Sequence, residues 1–132
     1  MITTFELKSI VYGIIKSSDF KTLINGDVYI DTRPLDSLKN DVVIGALQVP
    51  DQVLQPSTVL VNIYAKDIKS GTSYLPDLAL LNNVTKLLMP LFDEVYLENK
   101  KTYIEIEYQR DYKVDGVNER VSVIRLKTRT IQ

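Results

Sequence analysis

The sequence contains no cysteine, no histidine and no tryptophan. Without cysteine there is no disulfide, no thiolate nucleophile and no thiolate-bound zinc. Without histidine, the commonest general base and the commonest transition-metal ligand are both missing. Glycine is scarce. Gly13, Gly26, Gly45, Gly71 and Gly116 stand singly, so no glycine-rich loop is available to cradle a phosphate. No apolar run approaches the roughly 20 residues of a membrane-spanning helix, and no membrane partner is expected. The opening Met1-Ile2-Thr3-Thr4-Phe5-Glu6 lacks a basic segment followed by an apolar one, so the product is expected to stay in the cytoplasm of the cell that makes it. An excess of one charge is also missing: 16 basic and 17 acidic residues leave a net charge of −1. A duplex binder draws most of its affinity from phosphate neutralisation, so sequence-specific nucleic-acid binding is not expected.

What is present is an ordinary globular composition, 45% hydrophobic and 25% charged over 132 residues, enough for one core and too little for two. The chain is therefore read as a single domain, 1–132. Thr3 and Glu6 have capping-box spacing, and Ile2 with Leu7 fits a hydrophobic staple. Leu7, Ile10, Val11, Ile14 and Ile15 then repeat at helical spacing, predicting a helix over 4–18. A short second turn runs to Leu23, ended by left-handed backbone at Asn25-Gly26.

Strands follow at 28–33, stopped by Pro34, at 42–49, and at 58–65, where Val59, Val61, Ile63 and Ala65 share one face and Asn62 and Lys66 the other. The segments 34–41 and 50–57 read as connections, and Lys69–Ser73 as a flexible loop. Pro76, Asp77 and the stripe Leu78, Leu81, Val84, Leu88, Leu91 predict a second helix over 76–92, its last turn disturbed by Pro90. The last third is a hairpin, 102–113 and 118–130, around Asp115-Gly116.

The hairpin register follows from its faces. Ile104, Ile106 and Tyr108 should share the apolar side with Ile124 and Leu126, which sets Glu107 opposite Arg125 and Glu105 opposite Lys127. A plain two-residue turn would set Glu107 opposite Ile124, so a longer loop or a bulge is expected near the tip, with Val121 and Val123 out of phase. The expected fold is α+β, in the order α-β-β-β-α-β-β: a mainly antiparallel sheet of about five strands with two helices packed on one face.

Candidate chemistry is thin. Pro76-Asp77, or Pro50-Asp51, with Glu98-Asn99-Lys100 spells a metal-nuclease pattern, in which the acids would hold Mg²⁺ and the lysine would steady the attacking water. Asp77 has the plainer role of favouring a helix dipole, and Glu98-Lys100 that of a polar turn. Glu105 and Glu107 could be drawn as a metal pair, but Arg125 and Lys127 offer them salt bridges. Asn83-Val84-Thr85 matches a glycosylation acceptor inside a helix stripe, a chance match. The 8 tyrosines suit half-buried core or interface positions better than base stacking. Arg120, Arg125, Lys127 and Arg129 follow a stretch bearing Asp93, Glu94, Glu98, Glu105 and Glu107, so the two charge groups neutralise each other. No catalytic, metal or cofactor site is read.

The element order, with Asn25-Gly26-Asp27-Val28-Tyr29 and Val59-Leu60-Val61-Asn62-Ile63-Tyr64-Ala65-Lys66-Asp67, resembles the tail-completion or tail-terminator proteins of long-tailed bacteriophages along nearly the whole chain. That resemblance implies a virion protein of the tail or neck, assembled in the cytoplasm of a bacterial host. It would form a homo-oligomeric ring, commonly a hexamer, that stops the tail tube and docks the head connector. Its partners would be its own copies, tail tube protein and connector proteins. By analogy the contact regions would be 34–41, 50–57 and 113–119 with the charged hairpin face: Arg33, Asp36, Lys39, Asp51, Gln55, Lys113, Asp115, Asn118, Glu105, Glu107, Arg125 and Lys127. The alternatives are another head-completion adaptor, and a small metal-dependent enzyme or ligand-binding domain.

Overall fold

The computed structural model describes residues 1–132. Helix α1 spans Thr4–Lys16. Half of the expected capping box forms: the Thr3 side chain accepts from the Glu6 backbone N–H at 3.2 Å, while the Glu6 carboxylate accepts from the Thr3 hydroxyl at 3.2 Å in place of the Thr3 backbone N–H. Ile2 and Leu7 are both buried. A single 3₁₀ turn, Phe20–Thr22, drives the Phe20 ring into the core. Gly26 does not take the expected left-handed backbone; among the glycines only Gly71 and Gly116 do. Its need for glycine is spatial, because a Cβ there would lie 2.0 Å from Asp41 Oδ1 and 2.2 Å from the Asn40 carbonyl oxygen.

The strands are β1 (Val28–Ile30), β2 (Val42–Ala46), β3 (Leu54–Lys66), β4 (Ile68–Ser70), β5 (Ser73–Leu75), β6 (Val95–Leu97), β7 (Thr102–Lys113) and β8 (Glu119–Ile131). There are thus more than the expected five. Six form one sheet in the order β1-β2-β3-β8-β7-β6, and β4-β5 form a separate hairpin. The sheet is mixed, because β1 pairs parallel to β2. Residues 31–41 make that possible by carrying the chain back along the sheet. β3 runs further than expected, through Pro56, to pair with β8 along all 13 of its residues. Pro56 is tolerated because β2 pairs with β3 only from Val59 onward.

Helix α2 spans Leu78–Leu88, with Asp77 as its N-cap accepting from Leu80 N–H at 3.2 Å. Pro90 ends the α-helix and the chain continues as a 3₁₀ turn, Met89–Phe92, which buries Phe92. Both helices cover one face of the sheet. Leu7, Val11 and Ile15 from α1 and Leu81, Val84 and Leu88 from α2 meet Val59, Val61, Ile63, Ile124 and Leu126 in one core. Each such side chain contributes about 1.5–3 kcal/mol by leaving water.

The terminal hairpin differs from expectation in one respect that matters. Glu105 does lie opposite Lys127, but the bulge sits at Glu107, between Ile106 and Tyr108, not near the tip. It switches the phase of β7, so Tyr108 pairs with Arg125 on the face away from the helices instead of joining Ile104 and Ile106. The tip is the longer loop that the register required, closed by Val114 N–H to the Glu119 carbonyl at 2.9 Å, with Gly116 at φ 77.

Candidate assembly surface

Strand alternation assigns Leu60, Asn62, Tyr64 and Lys66 of β3, and Glu119, Val121, Val123, Arg125 and Lys127 of β8, to the outer face. Helices do not cover this face, yet Val121 and Val123 are buried. Residues 31–41 account for part of the cover, because their charged ends are pulled down onto the sheet. Arg33 forms a salt bridge to Glu119 and stacks 4.2 Å above the Tyr64 ring. Lys66 Nζ meets the other Glu119 oxygen at 2.9 Å, and Asp41 lies 3.6 Å from Arg33.

Glu119 is only 1% exposed. Burial by itself would raise its pKa, but the hydrogen bonds from Arg33 and Lys66 outweigh burial and hold the carboxyl below its usual range. Burial likewise works against the Arg33 charge, and its contact with Glu119 more than restores it. For Tyr64, burial, helped by Tyr112 and Glu119, pushes the phenol above its usual range.

The return of the chain is secured by backbone as well as charge. Tyr64 N–H donates to the Asp41 carbonyl at 2.8 Å, and Lys66 N–H to the Asn40 side-chain oxygen at 2.8 Å. Asn40 N–H donates to the Asn25 side chain at 2.8 Å, and Ser37 donates to the Asp41 carboxylate at 2.6 Å. At the other flank Lys8, a buried residue of α1, grips Asp31 at 2.8 Å. Between these anchors the loop tip is held out in water, with Leu35 98% and Leu38 85% exposed. Two leucines so placed gain nothing in the isolated chain.

The register gives the sheet two ends about 40 Å apart, at roughly 3.3 Å per residue over the length of β3. At the Lys66–Glu119 end lie Leu35, Leu38, the β4–β5 hairpin with exposed Ile68, Tyr74 and Leu75, and the β7–β8 tip with Val117. At the Leu54–Ile131 end lie exposed Met1, Leu47, Val53, Leu54 and Ile131. Each end of the molecule thus carries exposed apolar side chains, while others, Tyr108 among them, stand between the ends.

The residues expected at contacts divide accordingly. Asp36 and Lys39 are exposed on the loop bearing Leu35 and Leu38, whereas Arg33 at its base is held by Glu119 and Asp41. Lys113, Asp115 and Asn118 are exposed at the hairpin tip, where Lys113 Nζ donates to the Val117 carbonyl at 2.9 Å. Asp51 is exposed at the opposite end. Gln55, four residues on, is fully buried: it accepts from Ile2 N–H at 3.1 Å and donates to the Pro50 carbonyl at 3.1 Å, so it clamps the N-terminus.

Glu107 and Arg125 pair at 3.1 Å as expected, while Glu105 pairs diagonally with Arg129 at 2.9 Å in place of Lys127. Glu107, Arg125 and Lys127 join Pro50, Pro56 and Ser57 around a shallow polar hollow of about 610 Å³. Nothing in the sequence marked Asp41, Tyr64, Lys66 or Glu119 as a cluster, since they come from three separate segments. No three acidic side chains converge anywhere in the chain. Asp77 caps α2, whereas Glu98–Lys100 form a 3₁₀ turn at the Leu54–Ile131 end, beside Thr102 and its partner Thr130.

No family model matches the chain, and no curated protein matches it. A solved structure does. The fold is shared with a chain of a virion particle. The matching chain belongs to the virion of a native gene transfer agent (GTA) particle, with a TM-score of 0.66 at 12% sequence identity. The match covers 96% of this chain and 95% of that one, so it extends over both ends of the sheet and both helices.

Proposed function

We propose that this chain is a structural subunit of a phage-like particle, forming a ring that ends the tail tube and joins it to the head connector. The observation that carries the reading is the end-to-end likeness of fold to a chain of a gene transfer agent virion. The surface supports it. A subunit seated between two partners needs an adhesive patch at each end, and exposed apolar side chains are present at both ends of the sheet. The partners in this reading are further copies of the chain, in a hexamer, together with tail tube protein on one side and connector protein on the other. The role calls on rigid geometry and complementary surfaces, and on no cofactor.

Light scattering over a range of protein concentrations, with and without tail tube protein, followed by negative-stain imaging, tests the reading. Closed rings are the expected result. A particle that stays solitary at every concentration and does not bind tube protein would overturn it.

A further inference from the structure

The β4–β5 hairpin is exposed throughout: every position from Ile68 to Leu75 lies in water. A two-stranded hairpin with both faces solvated is marginal at best, and this one leaves Ile68, Tyr74 and Leu75 bare. What it lacks is a third strand.

A strand that lacks a neighbour exists in the same molecule. β6 pairs with β7 only at Thr102–Ile104, so beyond Ile104 one edge of β7 has no strand beside it. Residues Glu107–Lys113 are all exposed, and pairing with β8 is regular from Tyr108 to Lys113, past the bulge. This leaves a row of unpaired backbone donors and acceptors, the usual template for strand addition.

We propose that the β4–β5 arm of one copy adds to the open β7 edge, Tyr108–Lys113, of a second copy. The inference rests on the ring reading above and specifies its subunit contact. Arm and edge are different surfaces, so the contact is heterologous and repeats from copy to copy until a ring closes. Its size also matters. The eight arm residues fall well short of the roughly 20–30 a side of a stable pairwise interface. An isolated pair therefore dissociates readily, and assembly is cooperative, without a long-lived dimer.

The absence of cysteine makes the test direct. Ser73→Cys in one batch and Arg110→Cys in another are mixed at assembling concentration and treated with a short bismaleimide. A mixed dimer is expected, with far less product from either variant alone. In parallel, the doubly substituted Tyr74→Asp, Leu75→Asp chain is expected to keep its Tm and to need at least about tenfold more protein to assemble. Assembly of that variant at the wild-type concentration, or no mixed dimer from particles that do form, overturns the arm–edge contact and leaves the ring standing. A wild-type chain that never assembles, even with tail tube protein, overturns both.

Discussion

Arg33 and Glu119 lie 86 residues apart in sequence and pair as a salt bridge on the outer face of the sheet. The bond ties the chain leaving β1 to the first residue of β8, and so holds the crossover of residues 31–41 against the sheet. Removing one member leaves charge without its partner in a largely buried place. Glu119→Ala is expected to cost about 3 kcal/mol. The Arg33→Ala, Glu119→Ala double variant should be less destabilised than the sum of the two single ones. Urea unfolding of the four proteins measures the coupling; additive losses would show the bridge to be energetically idle.

The same carboxylate sets an acid limit on stability. Its folded pKa is held below the ordinary glutamate value of 4.5, so the unfolded chain takes up its proton first as pH falls. The contribution is complete above about pH 5 and is lost as pH drops from there through the lower folded value. Asp27 shares this direction through its hydrogen bond from Lys16, but at the surface. Urea midpoints between pH 3 and pH 7 should therefore fall steeply on acidification for the wild type and less steeply for Glu119→Gln. Equal slopes would remove Glu119 from the account.

The glycines separate conformational from spatial need. Gly26→Ala forces a Cβ against Asp41 Oδ1 and the Asn40 carbonyl, both parts of the network that seats the crossover. A loss of about 1–3 kcal/mol is expected. Gly13→Ala, mid-way along α1 with nothing within 4 Å, should gain about 0.5–1 kcal/mol. Thermal denaturation of both variants decides the point.

Leu35 and Leu38 have no role within the folded chain. Leu35→Asp with Leu38→Asp should leave stability within about 0.5 kcal/mol of wild type. On the proposed ring reading, the same variant should bind tail tube or connector protein far less well than wild type does. Co-sedimentation with tail tube and connector proteins measures this, and unaltered binding to both would exclude the loop tip from assembly.

Local chemistry was legible from residue order alone. The Thr3–Glu6 cap, the α1 stripe, the alternation of β3 and the break at Pro90 each depend on neighbours a few residues away, so spacing suffices to read them. The Glu107–Arg125 pair was legible as well, because matching the faces of two adjacent strands constrains their register. Three features were not. The bulge at Glu107 changes the face of every later residue of β7 without any glycine to signal it. The β4–β5 hairpin reads as a loop because Lys69-Ser70-Gly71-Thr72-Ser73 has no apolar alternation.

The parallel placement of β1, and with it the ionic cluster on the outer face, was settled only in three dimensions. By itself the sequence determined an α+β chain with two helices on one face and no imidazole or thiol chemistry. Tertiary structure alone decided that Arg33, Asp41, Lys66 and Glu119 would meet, and that bare leucines would stand at one end of the sheet. The physical reason is distance along the chain: capping, alternation and helix breaking act within a few residues. A buried salt bridge spanning 86 residues exists only once the whole sheet has brought its two charges together.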